Sequence, residues 1–160
     1  MKLLLVVGRL RERDPLRGAV AALAEDLRQS GVETEIFSPL KTEGLLCSGC
    51  GACKGAGMCV ADPRGKEFLK AAAGCDGFLI AAPVGLLGLG IDLRNLLMRA
   101  AELTARSKND PFDGKPAALI VGRLSRKAAK ELRELTQALG LDLCELTALL
   151  PALDKKEKKK

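Results

Sequence analysis

The sequence predicts an α/β protein in which one open, five-stranded parallel sheet carries helices on both faces. Short apolar segments alternate along the chain with amphipathic helical segments, five strands to four helices. Strands that are joined by helices run parallel through right-handed crossovers, so these segments form one sheet. The length of 160 residues suits one domain, and the composition, 48% hydrophobic and 29% charged, is that of a globular protein.

The predicted strands are apolar runs, which is typical of strands buried on both faces of a parallel sheet. They cover residues 2–7, 32–37, 77–82, 116–121 and 141–150. Five such strands suit the flavodoxin-like order 2-1-3-4-5.

The predicted helices carry apolar residues at helical spacing between the strands. They run from Pro15 to a stop at Gly31, and over residues 64–73, 91–105 and 126–139. Asp14 is the expected N-cap of the first helix, because Asp before a Pro at the first helical position is a strong start signal. Gly140 is expected to end the last helix.

Three loops are expected to share one surface, because ligands of such sheets bind beyond the carboxyl ends of the strands. They begin at Gly8, at Ala82 and at Gly122, and the second is a glycine-rich turn over residues 83–90. The segment 38–63 is too long for a plain connection, and loops of that length are usually functional.

Composition excludes several kinds of chemistry. The chain has no His, Trp or Tyr, so histidine-based triads, histidine-containing zinc sites and catalytic tyrosines do not occur. Of the net charge of +6, residues 154–160 carry +3. We therefore expect a domain over 1–153 and a disordered basic tail over 154–160, and we disfavour a nucleic-acid partner. A module that binds anionic surfaces through this tail is a minor alternative.

The compartment expected from the sequence is the cytoplasm. No apolar run approaches the roughly 20 residues that span a bilayer, so no membrane association is expected. The opening residues 1–7 are too short for a secretory signal. Six cysteines in such a chain favour metal ligands or redox groups over disulfides.

The strongest local signal is a C-x2-C-x2-C-x5-C run within the loop 47–59, formed by Cys47, Cys50, Cys53 and Cys59. Four thiolates this close in sequence can converge on one soft metal centre. The C-x2-C-x2-C opening resembles that of bacterial ferredoxins, in which three consecutive ligands serve one 4Fe-4S cluster; zinc and an empty thiol loop are the alternatives. Cys75 and Cys144 lie beside or inside apolar strands, so we expect both to be buried core thiols.

The chain resembles the flavodoxin-like NAD(P)H-dependent FMN reductases, and especially the iron-sulfur flavoproteins. Their loop C-x-G-C-x-x-C-x-x-x-G-x-C matches residues 47–59 position by position. Further landmarks are Pro83 and Val84 after a strand, a helix from Ile91 to Arg99, and a Gly-Lys pair at 114–115. The resemblance covers about the first 150 residues.

The resemblance implies a redox protein that passes electrons between a reduced nicotinamide, FMN and a 4Fe-4S cluster, on to an acceptor protein. The four loop cysteines are then the cluster ligands, and a homodimer is expected. The candidate FMN-binding positions are Gly8, Arg9, Arg11, Arg13, Pro83, Val84, Gly85 and Gly122.

The flavin loops depart from the family pattern. The first loop has arginines where relatives have hydroxyl-bearing residues, and Gly85 and Leu86 stand where relatives tend to place aromatics. Arginines can pair with a phosphate, or they can form a solvated basic turn. Two interpretations follow: an iron-sulfur flavoprotein with altered loops, or a domain that has lost FMN and serves as a cluster-binding, metal-binding or structural subunit.

Overall fold

A computed structural model of the protein describes residues 1–8, 14–39, 51, 63–82, 84–85, 88–105, 109–123 and 126–150. The four predicted cysteine ligands and the predicted tail 154–160 lie outside these residues. Arg9, Arg11, Arg13 and Pro83 lie outside them as well.

Seven strands and four helices are present in the described residues. The strands are β1 Lys2–Val7, β2 Glu33–Phe37, β3 Gly77–Ala82, β4 Val84–Gly85, β5 Gly88–Leu89, β6 Pro116–Arg123 and β7 Asp142–Leu150. The helices are α1 Pro15–Gln29, α2 Pro63–Ala73, α3 Ile91–Thr104 and α4 Arg126–Ala138. None of these described helices combines the length and the apolar character needed to cross a bilayer.

The main sheet has five strands in the order β2-β1-β3-β6-β7, and all neighbouring pairs are parallel. The predicted fold class and strand order are therefore confirmed. The predicted turn 83–90 differs, because it contains an antiparallel hairpin of β4 and β5. Strands of two residues are too short to show alternation in a sequence.

Side chains of successive strand residues alternate between the two faces of the sheet. Leu4 and Val6 belong to the larger core cluster, to which α2, α3 and α4 contribute, whereas Leu5 and Val7 belong to a smaller cluster under α1. We call these the three-helix face and the α1 face. Burial of every β3 residue follows, since a central strand is covered on both faces.

The caps of the helices agree with the sequence signals. Asp14 is the N-cap of α1, with an extended backbone and a side chain that accepts from the Leu16 N–H. Gly31 follows α1 with φ of 78°, and Gly140 follows α4 with φ of 72°. Glycine adopts this left-handed conformation without a Cβ penalty, so both helices end where the sequence predicted.

All four phenylalanines of the chain pack in one row within the three-helix face. Phe68 of α2 lies 5.1 Å from Phe37 and 5.6 Å from Phe112, measured between ring centroids. Phe112 in turn lies 5.4 Å from Phe78 of β3. The row joins β2, α2, the segment before β6 and β3, so it holds elements that are distant in sequence.

Replacement of Phe68 tests the importance of this row. Phe68→Ala removes a ring that is 1% exposed and should lower the free energy of unfolding by about 3–5 kcal/mol, because a cavity replaces two ring contacts. Urea denaturation followed by circular dichroism measures the change, and Phe68→Leu supplies a milder variant if Phe68→Ala does not fold. Met98→Ala is the control: Met98 is 42% exposed, so a change within about 0.5 kcal/mol is expected. Equal losses for Phe68→Ala and Met98→Ala would contradict the role of the row.

Candidate functional site

The carboxyl ends of β1, β3 and β6 lie side by side. Val7 is in register with Ala81, and Ala82 with Val121. The Gly8 N–H donates to the Ala81 carbonyl oxygen at 2.9 Å, which ties the end of β1 to the end of β3. The segments that follow these three strands therefore start at one edge of the sheet, as expected, and we call it the carboxyl edge.

Two of the candidate flavin positions lie in the hairpin that follows β3. Val84 pairs with Leu89, and Gly85 pairs with Gly88. Strand β4 contacts β6, and β5 contacts α4, so the hairpin lies next to the end of β6. The hairpin, whose two strands are hydrogen-bonded to each other, therefore lines one side of the carboxyl edge.

Gly122 lies inside a strand and does not begin a loop. Strand β6 continues through Gly122 to Arg123, which pairs with Leu150. The predicted strand end at Val121 was wrong by two residues, because pairing with β7 carries the ladder further than the apolar run does. The third turn therefore begins after Arg123.

The backbone amides described at the start of α1 already have hydrogen-bond partners. The Leu16 N–H donates to Asp14 Oδ1 at 3.0 Å, and the Arg17 N–H donates to the Asp14 carbonyl oxygen at 3.0 Å. Pro15 has no N–H, and the Gly8 N–H is bonded to Ala81. Anions bind helix N-termini through amides of this kind. An FMN phosphate in this turn would therefore not be bound by the amides of Gly8, Leu16 or Arg17 unless their present bonds break. The sequence offers Arg9, Arg11 and Arg13 as cations.

The loop that carries the four cysteines also starts and ends at the carboxyl edge. It follows β2, and the Ser38 hydroxyl directly after β2 donates to the Val7 carbonyl oxygen at 3.0 Å. It leads into α2, which begins at Pro63 and runs back toward the start of β3. Sequence reasoning missed Ser38, whose only signal is a hydroxyl directly after a strand. Four thiolates fit a soft metal centre, so the donor set suits an iron-sulfur cluster or zinc.

The other two cysteines lie at the opposite, amino edge of the sheet. Cys75 immediately precedes Asp76 and β3, is 3% exposed, and points its thiol at the Ala72 carbonyl oxygen, 3.3 Å away. Burial raises the pKa of this thiol above its usual range, so it stays protonated near neutral pH. Its expected burial is confirmed.

The expectation that Cys144 is a buried thiol was wrong, since the structure exposes it. Ala117 pairs with Leu143 and Ala118 with Glu145, so Cys144 is the extra residue of a β-bulge. Strand β7 is an edge strand, and a bulge breaks the alternation from which burial was predicted. Cys75 precedes the start of β3 and Cys144 lies near the start of β7, so most of the length of each strand separates these thiols from the carboxyl edge.

Within the part of the chain that the structure describes, no group of three or more His, Cys, Asp or Glu side chains is suited to hold a metal ion. Any metal centre of the predicted kind therefore depends on the loop cysteines.

Two landmarks of the family resemblance have structural roles. Gly114 turns the chain with φ of 67°, and the Lys115 ammonium donates to the Ala72 carbonyl oxygen at 2.7 Å, near the end of α2. A cation there satisfies a carbonyl that the helix leaves unpaired. Arg99, near the end of α3, is 7% exposed and belongs to the interior.

Comparison with known proteins is consistent with this arrangement. A sequence model described as NADPH-dependent FMN reductase matches residues 1–158. An iron-sulfur flavoprotein of Methanosarcina thermophila is 31% identical over 132 residues, which are 82% of this chain and 68% of that protein.

Solved structures with a similar fold include the flavoenzyme NAD(P)H:(acceptor) oxidoreductase FerB of Paracoccus denitrificans, with a TM-score of 0.63, 15% identity, and coverage of 94% of this chain and 77% of that chain. A flavodoxin variant of Pseudomonas aeruginosa has a TM-score of 0.61 and 16% identity, and covers 98% of this chain and 89% of its own. At these identities the likeness shows the fold alone, which is flavodoxin-like.

Proposed function

Since this chain belongs to the family of NADPH-dependent FMN reductases, we propose that it is a redox protein that binds FMN at the carboxyl edge. The proposal extends to a 4Fe-4S cluster held by the cysteine loop, a reduced nicotinamide as electron donor, and a protein as acceptor. One observation carries it: the loops for both groups start from the same edge of the sheet.

In this proposal FMN performs the redox chemistry, and the protein binds and orients the FMN. When bound, FMN supplies hydride acceptance and the release of single electrons. Arg9, Arg11 and Arg13 are proposed to bind the phosphate by charge-assisted hydrogen bonds. The segment 83–85 and the turn after β6 are proposed to flank the ring. Gly8 and Gly85 lack side chains, so a ligand can approach the backbone closely there.

The cluster part of the proposal rests on the donor set and on the relative. Cys47, Cys50, Cys53 and Cys59 match the family loop at every defined position, and the similar protein of Methanosarcina thermophila is named an iron-sulfur flavoprotein. Cys75 and Cys144 are at the amino edge, so they are not proposed as ligands. Zinc in the same four thiolates is the competing occupant.

The shared edge is the reason to expect electron transfer between FMN and the cluster. Ser38 bonds the beginning of the cysteine loop to Val7 at the end of β1, and the turn with the arginines begins at Gly8, the residue that follows β1. The two segments that are proposed to hold these groups therefore begin next to one another. A homodimer and a separate acceptor protein are further parts of the proposal, and they rest on the family resemblance.

A second candidate function is a flavodoxin-like subunit that has lost FMN and holds only a cluster or metal, or serves structurally. The observation that favours it is the start of α1, where Asp14 accepts the hydrogen bonds that the Leu16 and Arg17 N–H groups donate. A flavin titration separates the two candidates, because only the first binds FMN.

Replacement of the arginines tests the flavin proposal. Wild-type protein should bind FMN with a micromolar or weaker Kd, measured by flavin fluorescence, because the first loop offers arginines where relatives have hydroxyl donors. The double variant Arg11→Ala, Arg13→Ala should raise the Kd for FMN by at least about tenfold, because the charge-assisted hydrogen bonds to the phosphate are lost. Salt at about 1 M, which screens charges beyond about 3 Å, should also weaken binding.

The control for this titration is Arg28→Ala. Arg28 lies in the last turn of α1, at its end remote from Asp14, and carries the same charge, so FMN affinity should not change. Unchanged affinity in the double variant would show that the arginines do not bind the phosphate. The absence of FMN binding to the wild-type protein at low salt would favour the second candidate function.

Replacement of each cysteine tests the cluster proposal. Serine at position 47, 50, 53 or 59 should remove most of the iron and sulfide from anaerobically reconstituted protein, because each thiolate is a ligand. Cys144→Ser is the matched control, since Cys144 is exposed at the other edge of the sheet. Iron retained equally in all five variants would refute the assignment, and bound zinc in place of iron would identify the competing occupant.

A further inference from the structure

We infer that two copies of this chain form an antiparallel dimer through the exposed side of α3, with Met98 on the two-fold axis. We call this surface the α3 stripe; it consists of Ile91, Arg94, Met98, Glu102 and Ala105, all of which are exposed. The inference rests on the homodimer of the proposed function, for which it names the surface and the pairing.

The apolar part of the α3 stripe is the first observation. Four large apolar side chains are exposed among the residues whose side chains the structure describes, and two of them lie on α3: Ile91, 59% exposed, and Met98, 42% exposed. Seven residues are close to two helical turns of about 3.6 residues each, so these two side chains lie on one line along the helix. Exposed apolar side chains that stand singly are ordinary, whereas grouped ones mark contact surfaces.

The opposite side of α3 is fixed to the core of the protein. Leu93, Leu96, Leu97 and Ala100 are buried there, and α3 packs against both α2 and α4. The α3 stripe is therefore the outer side of a helix that is anchored along its length. A second copy can bind to it without rearrangement of the helix, which limits the entropy that binding costs.

The charges of the α3 stripe are arranged symmetrically about Met98. Arg94 lies four residues before Met98, and Glu102 lies four residues after it. In an antiparallel pair of identical helices, residues at equal distances on either side of the two-fold axis face each other. Each Arg94 then faces Glu102 of the second copy, and each Ile91 faces Ala105 of the second copy. The contact has an apolar centre and two pairs of opposite charge around it.

The same charges decide the orientation of the two helices. A two-fold axis that runs along the helices would pair them in parallel and would place each residue opposite its own copy. Arg94 would then face Arg94 and Glu102 would face Glu102, and like charges opposed across an interface are unfavourable. The antiparallel arrangement replaces both repulsions with attractions.

Arg94 is already oriented by a contact within its own chain. Its Nε lies 3.1 Å from Oε1 of Glu131 on α4. A guanidinium has five N–H donors, so a bond at Nε orients the group while its terminal nitrogens can donate to Glu102 of the second copy. An oriented side chain loses less conformational entropy when the contact forms.

Reversal of the two charges tests the pairing. Arg94→Glu opposes two carboxylates at each end of the contact, and Glu102→Arg opposes two guanidinium groups, so each variant alone should dissociate. An equimolar mixture of the two variants should dimerise again, because each pair in the mixed dimer joins a carboxylate to a guanidinium. A substitution that only destabilised the fold would not be rescued by mixing.

The experiment is sedimentation equilibrium of the full-length protein under reducing conditions, so that no disulfide through the exposed Cys144 contributes. Arg94→Glu, Glu102→Arg and Met98→Glu should each raise the dissociation constant of the dimer at least about 100-fold, since each substitution occurs twice in a two-fold contact. The mixture should return to within about tenfold of the wild-type value. Ile36→Glu is the matched control: Ile36 is 52% exposed on β2, so the dimer should persist. Thermal melting verifies that every variant is folded.

The possible results separate this inference from the proposed function. A wild-type dimer that survives Met98→Glu, single variants that are not rescued by mixing, or dissociation by Ile36→Glu in place of Met98→Glu would each overturn the inference and leave the homodimer of the proposed function standing. A wild type that is monomeric at every concentration overturns the inference together with that homodimer. The flavin titration described above requires no dimer, so it tests the redox part of the proposed function separately.

Discussion

The parallel pairing of β1 with β2 on one side and β3 on the other is the constraint on which the arrangement of the molecule depends. Parallel neighbours require each connection to return to the amino edge, so every segment that follows a strand begins at the carboxyl edge. The first turn, the cysteine loop and the hairpin are thereby brought to one place although they are distant in sequence.

The amino edge and the carboxyl edge of the sheet differ in the contacts that they make. At the amino edge, polar groups hold the framework: the Lys2 N–H donates to Asp76 at 2.7 Å, and the Lys2 ammonium lies 2.8 Å from Glu35 and 3.2 Å from Glu33 of β2. These carboxylates raise the pKa of Lys2, so the lysine stays charged. Lys115 ties α2 to the same edge. At the carboxyl edge, residues 38–62 lie between β2 and α2 and carry the four loop cysteines.

The two faces of the sheet are also unequal. Helices α2, α3 and α4 contribute to the core around the phenylalanine row, whereas α1 covers its smaller cluster with Leu16, Val20 and Ala24. The start of α1 is anchored by Asp14, two residues before the first buried leucine. A carboxylate at this point caps α1 and lies at the positive end of the helix dipole, so it stabilises the helix.

Much of the fold follows from sequence patterns, because buried strands and amphipathic helices have strong periodicities. The caps at Asp14, Gly31 and Gly140 also follow from local chemistry. The hairpin of β4 and β5 could not be predicted, since two-residue strands carry no period. The predicted burial of Cys144 was wrong because a bulge on an edge strand changes which residues face inward. The sequence identified Asp14 as a cap, and the structure adds the Leu16 and Arg17 N–H groups as the donors whose bonds it accepts.

The central claim is that the groups proposed for the carboxyl edge act together, and an anaerobic absorbance measurement tests it most directly. Full-length protein is reconstituted with iron and sulfide, and NADPH is added with and without saturating FMN. Flavin and iron-sulfur bands differ in shape, so each can be followed separately. We predict that the cluster band bleaches when FMN is present and persists when it is omitted. A cluster band that bleaches equally without FMN, or that never bleaches with it, would contradict the account.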